Sequence, residues 1–280
     1  MKQSCRQINK ENISLNEAQN IEKEMLYSFH NFCIRHNLTY YIMFGTLLGA
    51  IRGKDIIPWD HDVDTIMTRN EYNKLLKLSD SFSKETGFKI INYLNEKHMP
   101  VCFSRIINEK YGVTFKNSKK SYINDALYID IFVLDKGPSD LIKMNKYYKK
   151  FSILRWILSM KYNFYEPNIF SATAKTFFRV LFKPFSCKYL CSKLIRKAEN
   201  PKFEISNNVF VIDDYFRKKQ VNEKYFLSDF GNPVLVQFGS HNVYAPVNYK
   251  RILTNRYGDY MKLPPENDRI CYASFYKKEN

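Results

Sequence analysis

Residues 43–67 read Met-Phe-Gly-Thr-Leu-Leu-Gly-Ala-Ile-Arg-Gly-Lys-Asp-Ile-Ile-Pro-Trp-Asp-His-Asp-Val-Asp-Thr-Ile-Met, and this stretch restricts the fold more than any other. Three of the chain's nine glycines, Gly45, Gly49 and Gly53, fall within nine residues. Three aspartates, Asp60, Asp62 and Asp64, then stand at every second position. Alternate residues of a strand share a face, so Asp62 and Asp64 point the same way, about 7 Å apart. Asp60 joins them if the strand begins there. Carboxylates so placed repel one another unless a cation binds, and hard divalent cations take oxygen ligands. Glycine lets backbone come close to a ligand. The combination predicts a site for a phosphate-bearing, metal-bound substrate. The competing reading is a solvated acidic turn, since aspartate is common in turns. The interleaved Val63 and the flanking Trp59 and Ile66 argue against it.

A fourth aspartate supports the site. Asp130 interrupts the apolar run Tyr128-Ile-Asp-Ile-Phe-Val-Leu134, where a buried charge is costly without a partner. A metal shared with Asp62 and Asp64 would supply one; an exposed sheet face is the alternative. Asp135, at the end of that run, is expected in a turn. Gly45-Thr46, following a predicted strand, could present backbone N–H groups and a hydroxyl to a phosphate. Arg52 is placed to contact phosphate with both arms of its guanidinium. Lys54 and His61 carry weaker signals, and His61 between two aspartates reads as a hydrogen-bond partner.

The remaining pattern mixes helices and strands. Ser14-Leu-Asn-Glu17 is a capping box opening a helix over 14–36, with Ile21, Met25, Leu26, Phe29, Phe32 and Cys33 at helical spacing. Strands are predicted at 38–44, 63–67, 88–93, 101–108 and 128–134, the third and fourth of them paired. Short helices are predicted at 46–51 and 69–78, and another near 248–257. Residues 141–161 and 171–197 read as basic, aromatic helices. The chain divides into a catalytic core over 1–138, a helical insert over 139–205 and a carboxyl-terminal part over 206–280 that completes the core.

Forty-four Lys and Arg against 28 Asp and Glu give a formal charge of +16, which calls for an acidic partner: a phosphate-rich substrate, an anionic membrane surface or nucleic acid. Six scattered cysteines include no Cys-x-x-Cys pair, which argues against a zinc ribbon. Cys187 and Cys191, four apart, share a face if helical, and buried free thiols are expected. The first 20 residues hold no apolar signal-peptide core, and no apolar run reaches spanning length. A cytoplasmic chain, or one peripheral to the inner face of the cytoplasmic membrane, is expected.

Gly45-Thr-Leu-Leu-Gly-Ala-Ile-Arg52 followed by Ile57-Pro-Trp-Asp-His-Asp-Val-Asp64 resembles the signature of the LicD family. That family contains bacterial phosphocholine transferases and is similar to the fukutin group of sugar phosphotransferases. Tyr128-Ile-Asp-Ile-Phe-Val-Leu-Asp135 resembles its second acidic strand, and Tyr257-Gly-Asp-Tyr-Met-Lys-Leu-Pro-Pro265 its carboxyl-terminal motif. Two departures are Gly53-Lys-Asp55, where many members have His-Lys-Gly, and His61, where an acidic residue is commoner.

The resemblance implies an α+β fold, a nucleotidyltransferase-like mixed β-sheet with flanking helices and a helical insert. It implies Mg2+- or Mn2+-dependent transfer of phosphocholine, or a related phospho-group, from a CDP-linked donor such as CDP-choline. The acceptor would be a hydroxyl of a cell-surface glycan: lipopolysaccharide, capsule or teichoic acid, free or lipid-linked. Asp62, Asp64 and Asp130 would be the catalytic and metal-binding residues, with Gly45, Thr46, Arg52, Trp59 and Asp60 on the substrate side. The basic aromatic insert fits contact with an anionic membrane surface. Two alternatives are a nucleotidyltransferase acting on a small molecule or RNA, and a basic nucleic-acid-binding protein without chemistry. The aspartates argue against the second, because nucleic-acid contacts are cationic, and no dedicated nucleic-acid partner is expected.

Overall fold

The computed structural model describes residues 10–97, 99–115, 125–140, 143, 146, 149, 151, 154–158, 180–182, 184–203, 205–212 and 225–279. Of the two expected helical stretches, 12 of the 21 residues at 141–161 and 10 of the 27 at 171–197 lie outside them.

The first helix, α1 (Leu15–Arg35), begins as the sequence predicts: the Ser14 side chain accepts from Glu17 N–H. Met25, Leu26, Phe29, Phe32 and Cys33 form its fully buried stripe. The run predicted as a strand at 38–44 contributes only β2 (Tyr41–Ile42), because the chain turns into α2 (Phe44–Gly53) two residues later. Then come β3 (Asp64–Thr68), α3 (Arg69–Lys77), α4 (Ser79–Thr86) and β4 (Lys89–Ile91). The long strands β5 (Ser104–Phe115) and β6 (Ala126–Lys136) follow. The sheet reads β1-β11-β5-β6-β3-β2, where β1 is Lys10–Ile13 and β11 is Ala273–Lys278. β4 pairs with β5, as predicted. β3 and β6 run parallel, with Asp64 opposite Asp130, and β5 runs antiparallel to β6 with Arg105 opposite Asp130.

β7 (Asn208–Val211) extends the pairing of β6 and leads to β8 (Tyr225–Phe226). A separate hairpin, β9 (Val234–Phe238) with β10 (His241–Ala245), packs beside α1, where the Tyr27 and His241 rings stack 3.9 Å apart. The carboxyl-terminal helix runs Tyr249–Tyr257, close to its predicted bounds. Helix Cys187–Ala198 packs Leu190, Cys191 and Leu194 with Cys102, Phe210 and Ile212. The Cys187 and Cys191 thiols are buried and 3.9 Å apart. Among the described residues, no helix is long and apolar enough to cross a membrane. The architecture is an α+β mixed sheet with flanking helices.

Asp135 departs from expectation. Instead of standing in a turn it is 1% exposed near the end of β6, accepting from Arg69 Nε at 2.8 Å and Nη2 at 2.7 Å. The pair locks the start of α3 to β6. Removing one partner of a buried pair strands the other charge, at a cost of about 3–5 kcal/mol. Asp135→Ala is therefore expected to lower the urea midpoint by that equivalent. The double variant Arg69→Met/Asp135→Leu should recover most of the loss, because it leaves no buried unpaired charge; Glu199, which also lies 3.8 Å from Arg69, is 39% exposed.

Candidate active site

Two glycines of the opening motif, Gly45 and Gly49, make room for the protein's own loop. A Cβ on Gly45 would lie 2.5 Å from Asp60 Oδ2, and one on Gly49 would meet the carbonyl oxygen of Asp55. Four residues apart, both lie on one face of α2, and loop 55–60 presses against that bare face. At both glycines the aspartate loop itself makes a close approach. Phe44, at the start of α2, has φ of 51°, a left-handed conformation that costs a non-glycine residue about 1–2 kcal/mol. Its ring packs edge-on against Phe132, centroids 5.1 Å apart, and the Arg256 guanidinium lies over it at 4.3 Å.

Thr46 is buried, and its Oγ1 accepts from Asp64 N–H at 2.7 Å. Met43 N–H donates to Asp64 C=O at 3.0 Å. These two bonds fasten the start of β3 to the turn into α2. Arg52 donates to the backbone carbonyl of Tyr260 through Nε and Nη2, and Nη2 also reaches the carbonyl of Lys262 at 3.2 Å. Its guanidinium thus holds the Tyr257–Pro265 motif against α2. Trp59 is half-buried beneath Arg269, which lies 5.4 Å from its ring centroid.

The aspartates converge. Asp64, Asp130 and Arg105 form one row across β3, β6 and β5, and partners in register point to one face. Arg105 Nε donates to Asp130 Oδ1 at 2.8 Å. The guanidinium stacks on Tyr128, 3.7 Å from the ring centroid. Asp130 is 5% exposed, which removes the alternative of a wet sheet face. Asp60 accepts from its neighbour's amide, His61 N–H, at 3.0 Å, and ligand atoms of Asp60, His61 and Asp62 lie within 4.8 Å of one another.

The electrostatics follow from this crowding. Burial pushes the Asp62 carboxyl well up, Asp60 and Asp130 add to it, and Arg105 opposes. Burial likewise raises Asp64, with Asp62, Asp130 and Asp60 reinforcing it and Arg256 opposing. Burial raises Asp130 too, and Arg105 holds it back. Like charges in a desolvated site disfavour ionisation. Deprotonated together, these groups need cationic charge beyond that of Arg105 and Arg256.

Four residues here were not singled out from the sequence. Gln19 of α1 donates Nε2 to the carbonyls of Ile57 at 3.1 Å and Asp60 at 2.8 Å. Glu22, one turn on, is 1% exposed, and neither carboxyl oxygen has a hydrogen-bond partner. Arg105 and Arg256 complete the set. Helical spacing alone reads α1 as a packing helix, and two arginines among the chain's many cations carry no local mark. A polar residue on the apolar stripe, such as Glu22, was the available signal.

The family model described as LicD/FKTN/FKRP, nucleotidyltransferase domain, matches residues 37–150, which contain Gly45 through Asp64, Arg105 and Asp130. The chain is 28% identical over 277 residues to the lipopolysaccharide cholinephosphotransferase LicD of Haemophilus influenzae, covering 92% of this chain and 95% of that protein. An uncharacterized protein of Rickettsia typhi is 26% identical over 125 residues, covering 45% of this chain and 36% of that protein. One of Rickettsia prowazekii is 27% identical over 135 residues, covering 48% of this chain and 46% of that protein. The family match contains the aspartate row, and a relative aligns with the chain over nearly its whole length, so the chain is similar to the LicD family across the segment that carries the site.

Proposed function

We propose that this protein is a phosphotransferase that moves phosphocholine, or a closely related phospho-group, from a CDP-linked donor to a hydroxyl of a lipopolysaccharide-type surface glycan. The observation that carries the reading is the row Asp64–Asp130–Arg105 with Asp60 and Asp62 crowded beside it. The full-length relative from Haemophilus influenzae supports the phosphocholine and lipopolysaccharide parts.

The donor set suits a hard divalent cation such as Mg2+ or Mn2+: ligand atoms of Asp60, His61 and Asp62 lie within 4.8 Å of one another, and burial, reinforced by neighbouring carboxylates, raises Asp62 and Asp64. Asp62 and Asp64 would hold it, with Asp60 and Asp130 at its sides. When bound, such an ion withdraws charge from a phosphoryl oxygen. The protein's own groups do the rest. Arg256 opposes the negative charge around Asp64, and Arg105 fixes Asp130 in orientation. Loop 55–60, seated on Gly45 and Gly49, holds Asp60 at the rim. The glycan hydroxyl oxygen attacks the phosphorus bearing choline, its proton passes to a carboxylate of the row, and the bond to CMP breaks. Arg52 reaches a donor phosphate only by releasing the 260–262 carbonyls, so its part here is to brace that segment.

The charge and the described part of the insert support docking on an anionic lipid surface. Val180, Leu181 and Phe185 are exposed, and Phe185 stacks on Tyr189 beside Lys188 and Lys193. Apolar side chains among lysines are the composition of an interfacial helix.

Three measurements test this reading. CMP release with a panel of CDP-choline, CDP-ethanolamine, CDP-glycerol and CDP-ribitol, in the presence of glycan acceptor, should show turnover with CDP-choline. Asp62→Asn and Asp64→Asn should each lower that turnover about 10³-fold; near-wild-type turnover, or transfer of a nucleotide from CTP, would sink the reading. Second, the raised carboxyls imply a pH dependence in EDTA. The folded chain retains protons that the unfolded chain releases, so the associated stability is full below the ordinary carboxylate range and lost as pH rises through the raised values. Asp64→Asn should therefore be the more stable protein at neutral pH, by about 1.4 kcal/mol per pKa unit relieved, and the gap should close towards pH 4. Third, Leu181→Ser/Phe185→Ser should reduce co-sedimentation with vesicles containing anionic lipid and leave turnover on a soluble acceptor unchanged.

A further inference from the structure

Glu22 lies on the buried stripe of α1, among Ala18, Met25 and Leu26, where an apolar residue would pack without electrostatic penalty. Both of its carboxyl oxygens are buried and without a partner, and among the described residues no other carboxyl is in that state. Burying a carboxyl that makes no hydrogen bond is costly. Such a group needs an explanation.

Its surroundings supply one. Three residues earlier on the same helix face, Gln19 grips the carbonyls of Ile57 and Asp60. On the other side, Lys23 pairs with Asp55 at 3.1 Å. The 19–23 turn of α1 is thus held against the loop that carries the aspartates. The acidic groups acting on Glu22 are Asp62, Asp60 and Asp64, together with the Cys271 thiol. Tyr128, two residues from Asp130 on β6, feels the Glu22 charge as well. Glu22 is the helix-side member of a carboxylate group whose other members come from β3 and the loop before it.

We propose that Glu22 is a further carboxylate of the divalent-cation site. Delivered by α1 to the inner wall of the cluster, it contributes negative charge and oxygen atoms to the cation, directly or through a bound water. The cation in turn supplies the partner that its oxygens lack. The inference rests on the reading of the aspartate row as a cation site, not on the identity of the transferred group.

The test is direct Mn2+ binding to the full-length protein, followed by calorimetry or electron paramagnetic resonance, for wild type, Glu22→Gln, Glu22→Asp and Asp64→Asn. Thermal melts in EDTA and in excess Mn2+ accompany it. Glu22→Gln is expected to weaken Mn2+ binding about tenfold or more, to melt no lower than wild type in EDTA, and to gain fewer degrees on adding Mn2+. Glu22→Asp, which keeps the charge, should retain affinity between the two. If Glu22→Gln binds Mn2+ like wild type while Asp64→Asn does not, Glu22 lies outside the site and the cation reading stands. A Glu22→Gln protein that melts lower in EDTA with unchanged Mn2+ affinity would assign Glu22 to structure alone and also overturn the proposal. Absence of saturable Mn2+ binding in wild type would overturn the proposal and the cation reading together.

Discussion

Parallel pairing of β3 with β6 is the contact on which the rest of the molecule depends. It sets Asp64 directly beside Asp130. A one-residue slip would turn every side chain of β3 to the other face. Several anchors prevent the slip. Thr46 Oγ1 and Met43 N–H hold the first residue of β3, and Asp130 N–H donates to Val63 C=O at 2.9 Å. At the far end of the pair, Arg69 follows β3 immediately and grips Asp135 of β6. The two strands are pinned at both ends, and the acidic row lies at the site end of that frame.

Within this frame, the site accepts instability as part of its chemistry. Replacing water around several carboxylates by protein raises the energy of the ionised forms, and among the described residues Arg105 and Arg256 stand against Asp62, Asp64 and Asp130. Phe44 adds backbone strain at the turn into α2. Such strain persists only where the surroundings over-determine it. Here the Phe132 ring and the Arg256 guanidinium pack around the Phe44 side chain. The same arginine therefore serves the fold through Phe44 and the electrostatics through Asp64.

What could be read from the sequence was what short-range pattern encodes. The Ser14 cap, the apolar stripe of α1, the pairing of β4 with β5, the carboxyl-terminal helix and the alternating aspartates all depend on neighbours within a few positions. Asp130 was legible because an ionised residue in an apolar strand demands a partner. What short-range pattern did not show shares a cause. The roles of Gly45 and Gly49, Arg52, Asp135 and Glu22 are each decided by a residue far away in sequence or on another element: Asp60 and Asp55, Tyr260, Arg69, and the aspartate cluster. The terminal strands β1 and β11 define each other by pairing across the length of the chain, so neither segment announces itself alone.

The grip of Arg52 on the carbonyls of Tyr260 and Lys262 has a consequence for biosynthesis. A ribosome finishes β3 and β6 long before it reaches residues 260–262 or β11, the strand that closes the flank of β5. While synthesis continues, the acidic row exists without its brace and without Arg256. The nascent chain thus holds a repelling, half-framed set of carboxylates until residues 256–278 emerge. Commitment to the finished geometry therefore waits for these later residues to enforce it.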